Sequence, residues 1–344
     1  MVKDPRSAKP HSDRLYLGSK SVGTGSSMKF GRLLFLAGIA AALGGGSAFA
    51  AQIETGARAA IPQYVQQLIA VDYDTMQNSP AAMSLKARVL PPELKQLESA
   101  LKSSGFNEAR DVDTLVFAAY RTTPTGEDIK VVGIGQGQFQ VNNLVANFVK
   151  HKVKPIMIRN NKLWPMGTSG MLVTFLNPTT MLFGSEDALK PALAARDGLA
   201  PSFLSNSNMM SAMQKVDSQP IWSILDAQGT QYMMHTLLGQ ASQLADYTAV
   251  KKRLLSSSYT MNFNNGVKFD LYVETSDTFT AATMSSLLNA AAMYEKVSGT
   301  PVEQKAIDAT TIDSSGGTLE VKYSSSDSQF TSLLQSPLFQ NVVH

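Results

Sequence analysis

The chain has 344 residues, 44% of them hydrophobic, and a formal net charge of +3. It contains no cysteine, which excludes disulfides, thiolate metal centres and cysteine nucleophiles. The basic balance belongs to the start of the chain: the first 50 residues hold seven Lys/Arg and two Asp/Glu, and without them the totals of 30 and 27 become 23 and 25, a net of −2, so charge gives no argument for nucleic-acid binding.

Met28–Arg32 is a short basic stretch. Leu33–Leu43 follows as an apolar run of 11 residues, and Gly44–Ala50 is rich in small residues and ends Ala48-Phe49-Ala50. This is the pattern of a signal peptide cleaved after Ala50. Residues 1–27 then read as a disordered extension or a misassigned start. The apolar run is shorter than the roughly 20 residues of a membrane span. No cysteine follows it for a lipid anchor. The expectation is a periplasmic or secreted protein of 294 residues, Ala51–His344, with no stable membrane insertion after cleavage.

In chain order, Val65–Tyr73 reads as a strand and Ser79-Pro80 opens a helix to about Arg88. Pro91-Pro92 starts a second helix with Leu94, Leu97 and Leu101 on one face and Glu98 four residues before Lys102. Thr114–Arg121 and Ile129–Phe139 form a hairpin around Pro124-Thr125-Gly126. Val141, Leu144, Val145 and Phe148 make an amphipathic helix. Pro155–Met166 and Met171–Gly184 are β pieces, and Ser185 caps a helix that contains Pro191.

The second part repeats this order. Met209, Met210 and Met213 suggest a short helix. Pro220–Asp226 is a strand matching Leu68–Asp72, with Asp226 in the place of Asp72. Gln231–Leu244 is helical. Tyr259–Phe263 and Val267–Val273 form a hairpin at Asn265-Gly266. Asp277 caps a long helix to about Val297. Strands around Ile307–Asp313 and Thr318–Tyr323, then a helix with Phe330, Leu333 and Leu334, complete the chain. Each half reads β-α-β-β-α-β-β-α, over residues 60–198 and 205–340. The expected fold is α+β, two similar subdomains with mostly antiparallel sheets and helices on one face.

Motifs that could carry chemistry fall short. Gly133-x-Gly135-x-Gly137 lacks the spacing of a dinucleotide loop and sits in a hairpin, not a parallel βαβ unit. At period two the three glycines share one strand face, and they predict close approach of a helix, Val141–Val149, with Val267–Val273 bearing bulkier side chains in the same place of the second half. Ser99-Ala100-Leu101-Lys102 matches S-x-x-K, but S-D-N and K-T-G are absent. Gly167-Thr168-Ser169-Gly170 lacks the G-x-S-x-G spacing. A Ser–His–carboxylate site would have to use His151, read as a solvated helix end, or His235, read as packed beside Met233 and Met234. Asp72-x-Asp74 and Asp111-x-Asp113 lack the 12-residue calcium loop. The 14 methionines of the expected mature chain suit core filling or an adaptable binding surface. No catalytic, cofactor-binding or metal residue is assigned, and no cofactor is expected.

The Asp111-Val112-Asp113 strand entry, the hairpin ending Gly137-Gln138-Phe139, and Leu182–Ala188 before a helix resemble exported bacterial proteins of unknown function with a duplicated α+β fold. The resemblance implies export and two related halves, and it carries no functional residue across. The sequence therefore points to a non-catalytic binding or scaffolding protein of the cell envelope, its partner an unknown protein or a small apolar ligand. A periplasmic hydrolase with a dispersed Ser/His/carboxylate site and a carrier of an apolar ligand are the alternatives.

Overall fold

The computed structural model describes residues 50–339. The expected extension and signal peptide, apart from Ala50, lie outside the described residues. The strands are β1 Val65–Asp72, β2 Val112–Arg121, β3 Ile129–Gly137, β4 Ile156–Ile158, β5 Asn161–Met166, β6 Met171–Asn177, β7 Thr180–Gly184, β8 Ile221–Leu225, β9 Leu254–Asn262, β10 Val267–Thr275, β11 Thr310–Ser315 and β12 Thr318–Ser325. The main helices are α1 Pro80–Val89, α2 Pro92–Ser103, α3 Val141–Lys150, α4 Glu186–Arg196, α5 Ser207–Gln214, α6 Ala227–Leu238, α7 Thr278–Ser298, α8 Pro301–Asp308 and α9 Asp327–Leu333.

The strands form one sheet in the order β11-β12-β10-β9-β8-β1-β2-β3-β7-β6-β5-β4, and adjacent strands pair antiparallel. Read outward from the β1–β8 pair, both directions give a strand, a hairpin and then a second hairpin whose later strand lies inside. The first half alone adds the β4–β5 hairpin. The expected α+β class holds, with a single sheet running through both halves.

The registers align a row of residues across ten strands: Val173, Phe183, Gly133, Phe117, Ile69, Ser223, Tyr259, Leu271, Val321 and Ile312. Its midpoint is the Ile69–Ser223 pair. On that alignment Asp72 falls opposite Asp226 in role, as the sequence comparison placed them. Asp72 accepts from the Thr75 backbone N–H at 2.9 Å and caps the short helix Tyr73–Met76. Asp226 accepts from the Gly229 N–H at 2.8 Å and caps α6.

Because side chains alternate along a strand, the row's face carries one set of residues throughout. In the first half this face packs against α1, α2 and α3 through Leu85, Leu94, Leu97, Leu101, Leu144 and Phe148. In the second half it packs against α6 and α7 through Met233, Met234, Met284, Leu287 and Leu288. The opposite face differs between halves. Leu68, Val116, Ile134 and Trp222 are covered by α4, α5 and the segment before β1. On β9, β10 and β12 that face carries Ser258, Thr260, Lys268, Asp270, Glu274, Glu320 and Lys322 and is partly or fully open to solvent. Helices on one face thus describe the second half only; the first half is covered on both. The closing helices also diverge: α4 joins the core of the opposite face, whereas Phe330 of α9 belongs to the same core as α1 and meets Phe263 edge to face at 5.6 Å.

Two element expectations change. The strand expected around Ile307–Asp313 begins only at Thr310, because α8 runs on to Asp308 from a reciprocal capping box between Thr300 and Glu303, with Pro301 at the first helical position. Ser185 stands at the cap of α4, but its hydroxyl donates to the Asp187 carboxylate instead of accepting from a backbone N–H.

The nearest neighbours of the β3 glycines are not residues of α3, the helix expected over them. A Cβ on Gly133 would lie 2.1 Å from the Phe183 ring, and one on Gly137 would lie 2.0 Å from the Asp111 carbonyl oxygen. The row therefore admits a neighbouring strand's aromatic ring and a crossing backbone. In the row's alignment Gly133, Gly135 and Gly137 stand in the places of Leu271, Val273 and Thr275 of β10, all bulkier.

Candidate functional site

The row's face is not filled at either end. In the first half, α1 and α2 stand over β1, β2 and β7 and enclose a cavity of about 130 Å³ that opens on one side. The i, i+3, i+7 spacing of Leu94, Leu97 and Leu101 aims one stripe of α2 into it. Its floor is Ile69, Phe117 and Phe183, with Leu115 beside them. Leu115 and Phe117 are only half-buried although they lie in a central strand. The absent side chain of Gly133 makes this floor: Phe183 lies over the glycine and meets Phe117 beyond it.

Three ionisable residues border this apolar space: Lys86, Glu98 and Glu108. The Lys86 ammonium donates to both Glu108 carboxylate oxygens at 2.8 Å and to the Tyr73 hydroxyl at 3.0 Å. It also lies 3.5 Å from Glu98 Oε1 and 4.9 Å from the Tyr73 ring centre. Its side chain is only 11% exposed. Burial would lower the lysine's pKa, but the Glu108 carboxylate more than offsets it and the group stands above the ordinary lysine value. Burial raises Glu108, with Lys86 drawing it back. Burial pushes Tyr73 up to about 12. An amine held as ammonium is a hydrogen-bond donor and a charge, not a nucleophile. The two carboxylates against one cation leave the border negative.

The sequence did not mark this cluster. Lys86 sits inside the apolar run of α1, and Glu108 lies on the short helix Glu108–Asp111, 22 residues further on. Glu98 was expected to pair with Lys102 and instead turns to Lys86. Ser99, of the S-x-x-K match, donates to the Lys95 carbonyl at 2.9 Å along its own helix. His151 is exposed at the end of α3. His235 is exposed on α6 rather than packed, 6.4 Å from the Tyr247 ring. Among the described residues neither imidazole is hydrogen-bonded to a serine or a carboxylate, and the two lie on helices of different halves. Asp111 accepts from the Asn107 N–H at 2.8 Å and pairs with Arg110. Burial, then Asp74 and Asp72, raises the Asp113 carboxyl, which places these acidic residues near one another. Among the described residues no group of three or more His, Asp or Glu has the arrangement of a metal site.

Between the two ends of the row stands a polar contact. Gln67 Nε2 donates to Ser223 Oγ at 3.2 Å and to the Tyr259 hydroxyl oxygen at 3.1 Å, all three buried. The halves are further tied by Arg121 of β2, which donates to the Asp226 carboxylate and to the Gln228 side chain at the start of α6.

No family model and no curated protein matches the chain. Among solved structures, the Treponema protein TP0453 in crystal form I is similar over 83% of this chain and 97% of that chain, at 10% identity and a TM-score of 0.47. The same protein in crystal form III is similar over 83% and 98%, at 10% identity and a TM-score of 0.44. No functional residue follows from likenesses at that level. Among the described residues, no helix is long and apolar enough to cross a membrane.

Proposed function

We propose that this chain is an exported, non-catalytic binding protein of the cell envelope, and that it holds a small molecule with an apolar body and one polar end between α1, α2 and the sheet. The observation that supports this reading is the cavity: apolar walls, half-buried Leu115 and Phe117 on its floor, and a few charged groups gathered at its border. Its volume of about 130 Å³ is near that of engineered apolar cavities of about 150 Å³ that take up benzene. Export rests on the Met28–Ala50 pattern. The matching strand order of the two halves favours an origin by duplication.

The test is a titration of residues 51–344 with hexylamine, hexanol and hexanoate, followed by amide chemical shifts. Saturable shifts confined to α1, α2, β2 and β7, and abolished in Leu97→Trp, are the expected result. Shifts scattered over the surface, or retained in that variant, would remove the site. Among the described residues the hydrolase alternative has no hydrogen-bonded Ser–His pair in its favour.

A further inference from the structure

The other end of the row runs under a second and larger cavity. It lies between α6, α7 and strands β9, β10, β11 and β12, and its volume is about 310 Å³. Tyr259, Leu271, Val321 and Ile312, four consecutive members of the row, form its floor. They mirror Phe117, Gly133, Phe183 and Val173 about the Ile69–Ser223 midpoint. The roof explains the empty space. After Leu288, α7 presents Ala291 and Ala292 to the sheet, too short to reach the half-buried Phe269, Ile312 and Val321 beneath. Close packing is the rule in protein interiors, and voids of this size cost stability.

We propose that this cavity is a second binding site, for an uncharged apolar molecule larger than the first cavity admits. Its volume reaches the range of about 300–1,000 Å³ found for small-molecule sites. The charged lining is a single carboxylate, Glu295, exposed at the rim, and the other polar side chains are Thr236, Thr310 and Tyr259, whose hydroxyl accepts from Gln67. Thr310 already donates to the Ala306 carbonyl at 2.9 Å. An anionic ligand would meet Glu295 and bury its charge without a cation, which is costly. A cationic one would have to keep its charge at the rim. The buried Gln67–Ser223–Tyr259 contact separates this site from the first, so occupancy of one does not require the other.

N-phenyl-1-naphthylamine, an uncharged fluorescent probe, tests this in residues 51–344. The expected result is saturable binding at one molecule per chain, weakened at least tenfold by Ala291→Phe and unchanged by Leu97→Trp. Val321→Phe fills the same space from the sheet side and serves if Ala291→Phe does not fold. An anionic sulfonated analogue should bind at least tenfold more weakly. Absence of saturable binding, retention of affinity in a folded Ala291→Phe or Val321→Phe, loss through Leu97→Trp instead, or equal affinity for the anionic analogue would each overturn the proposal. Because the proposed first site is read with short alkyl compounds on different residues, either site can fail alone.

Discussion

Phe117 and Phe183 meet edge to face across the bare backbone of Gly133, their ring centres 5.9 Å apart and their planes at 81°. The two rings belong to strands that are not neighbours; only the missing side chain between them lets them touch. Gly133→Ala places a methyl group 2.1 Å from the Phe183 ring. The ring must swing toward the cavity, and overpacking of this kind costs about 1–3 kcal/mol. Thermal unfolding should show the loss, and hexanol binding should weaken with it. Gly135→Ala meets the flexible end of Met181 at 3.1 Å and should be milder. Gly137→Ala meets the Asp111 carbonyl oxygen, which cannot swing away, and should be the most damaging of the three.

Arg121 and Asp226 form a largely buried ion pair between the halves. Burial raises the Asp226 carboxyl, while the Gly229 N–H and Arg121 hold it down. Arg121→Met removes the cation and leaves the carboxylate with its cap contacts alone. The cost at neutral pH should be about 3 kcal/mol. In the variant the Asp226 pKa rises further. A raised carboxyl pKa means the native state binds the extra proton, so the stability deficit should shrink as pH falls through that value. Urea unfolding at neutral pH and at about pH 5 checks the sign; a deficit that grows on acidification would refute it.

Lys86 is held above the ordinary lysine value of about 10.4 by Glu108. Its contribution to stability is therefore complete below that value and is lost as pH rises through the elevated one. Wild-type protein should lose stability on the alkaline side beyond about pH 10.4. Glu108→Gln should be less stable at neutral pH and should lose less between neutral and alkaline pH, since its lysine no longer has a preferred charged partner. Parallel denaturation curves for the two proteins across that range would contradict the assignment.

Trp222 is fully buried and its indole N–H donates to the Ala51 carbonyl at 2.9 Å. Ala51 N–H in turn donates to the Gln219 carbonyl. Trp222→Phe leaves that carbonyl without its donor and should cost about 1–3 kcal/mol. Amide exchange should speed up at Ala51 and Ile53 before it does in β8.

What the sequence revealed was local. Asn265-Gly266 announced the β9–β10 turn because both residues need positive φ, and they adopt 61° and 103°. Leu94, Leu97 and Leu101 announced the buried stripe of α2. Near Ile307 the β-branched residues favour a strand, but the cap signal Thr300-Pro301-Val302-Glu303 sets a helix that runs to Asp308. What stayed hidden was non-local. Nothing near Lys86 in the chain points to Glu108, and nothing near Gly133 points to Phe183 on β7. Both partners follow only from the register of the sheet. His235 was misplaced for a related reason: neighbouring Met233 and Met234 are buried, but the helix turns the imidazole out to solvent.

The Ile69–Ser223 pair joins positions 154 residues apart in the chain. Each hairpin on either side can close over a short loop, whereas this central seam closes last in entropic terms, after the whole intervening chain is gathered. A nascent chain emerging in order has β1 ready long before β8 exists to cover it. Until then β1 has only β2 on one side, and its other edge, Gln67–Val71, is bare and mostly apolar. The interval before β8 arrives is when this chain is most exposed to mispairing with another copy, and a chaperone acting on it would find its target there.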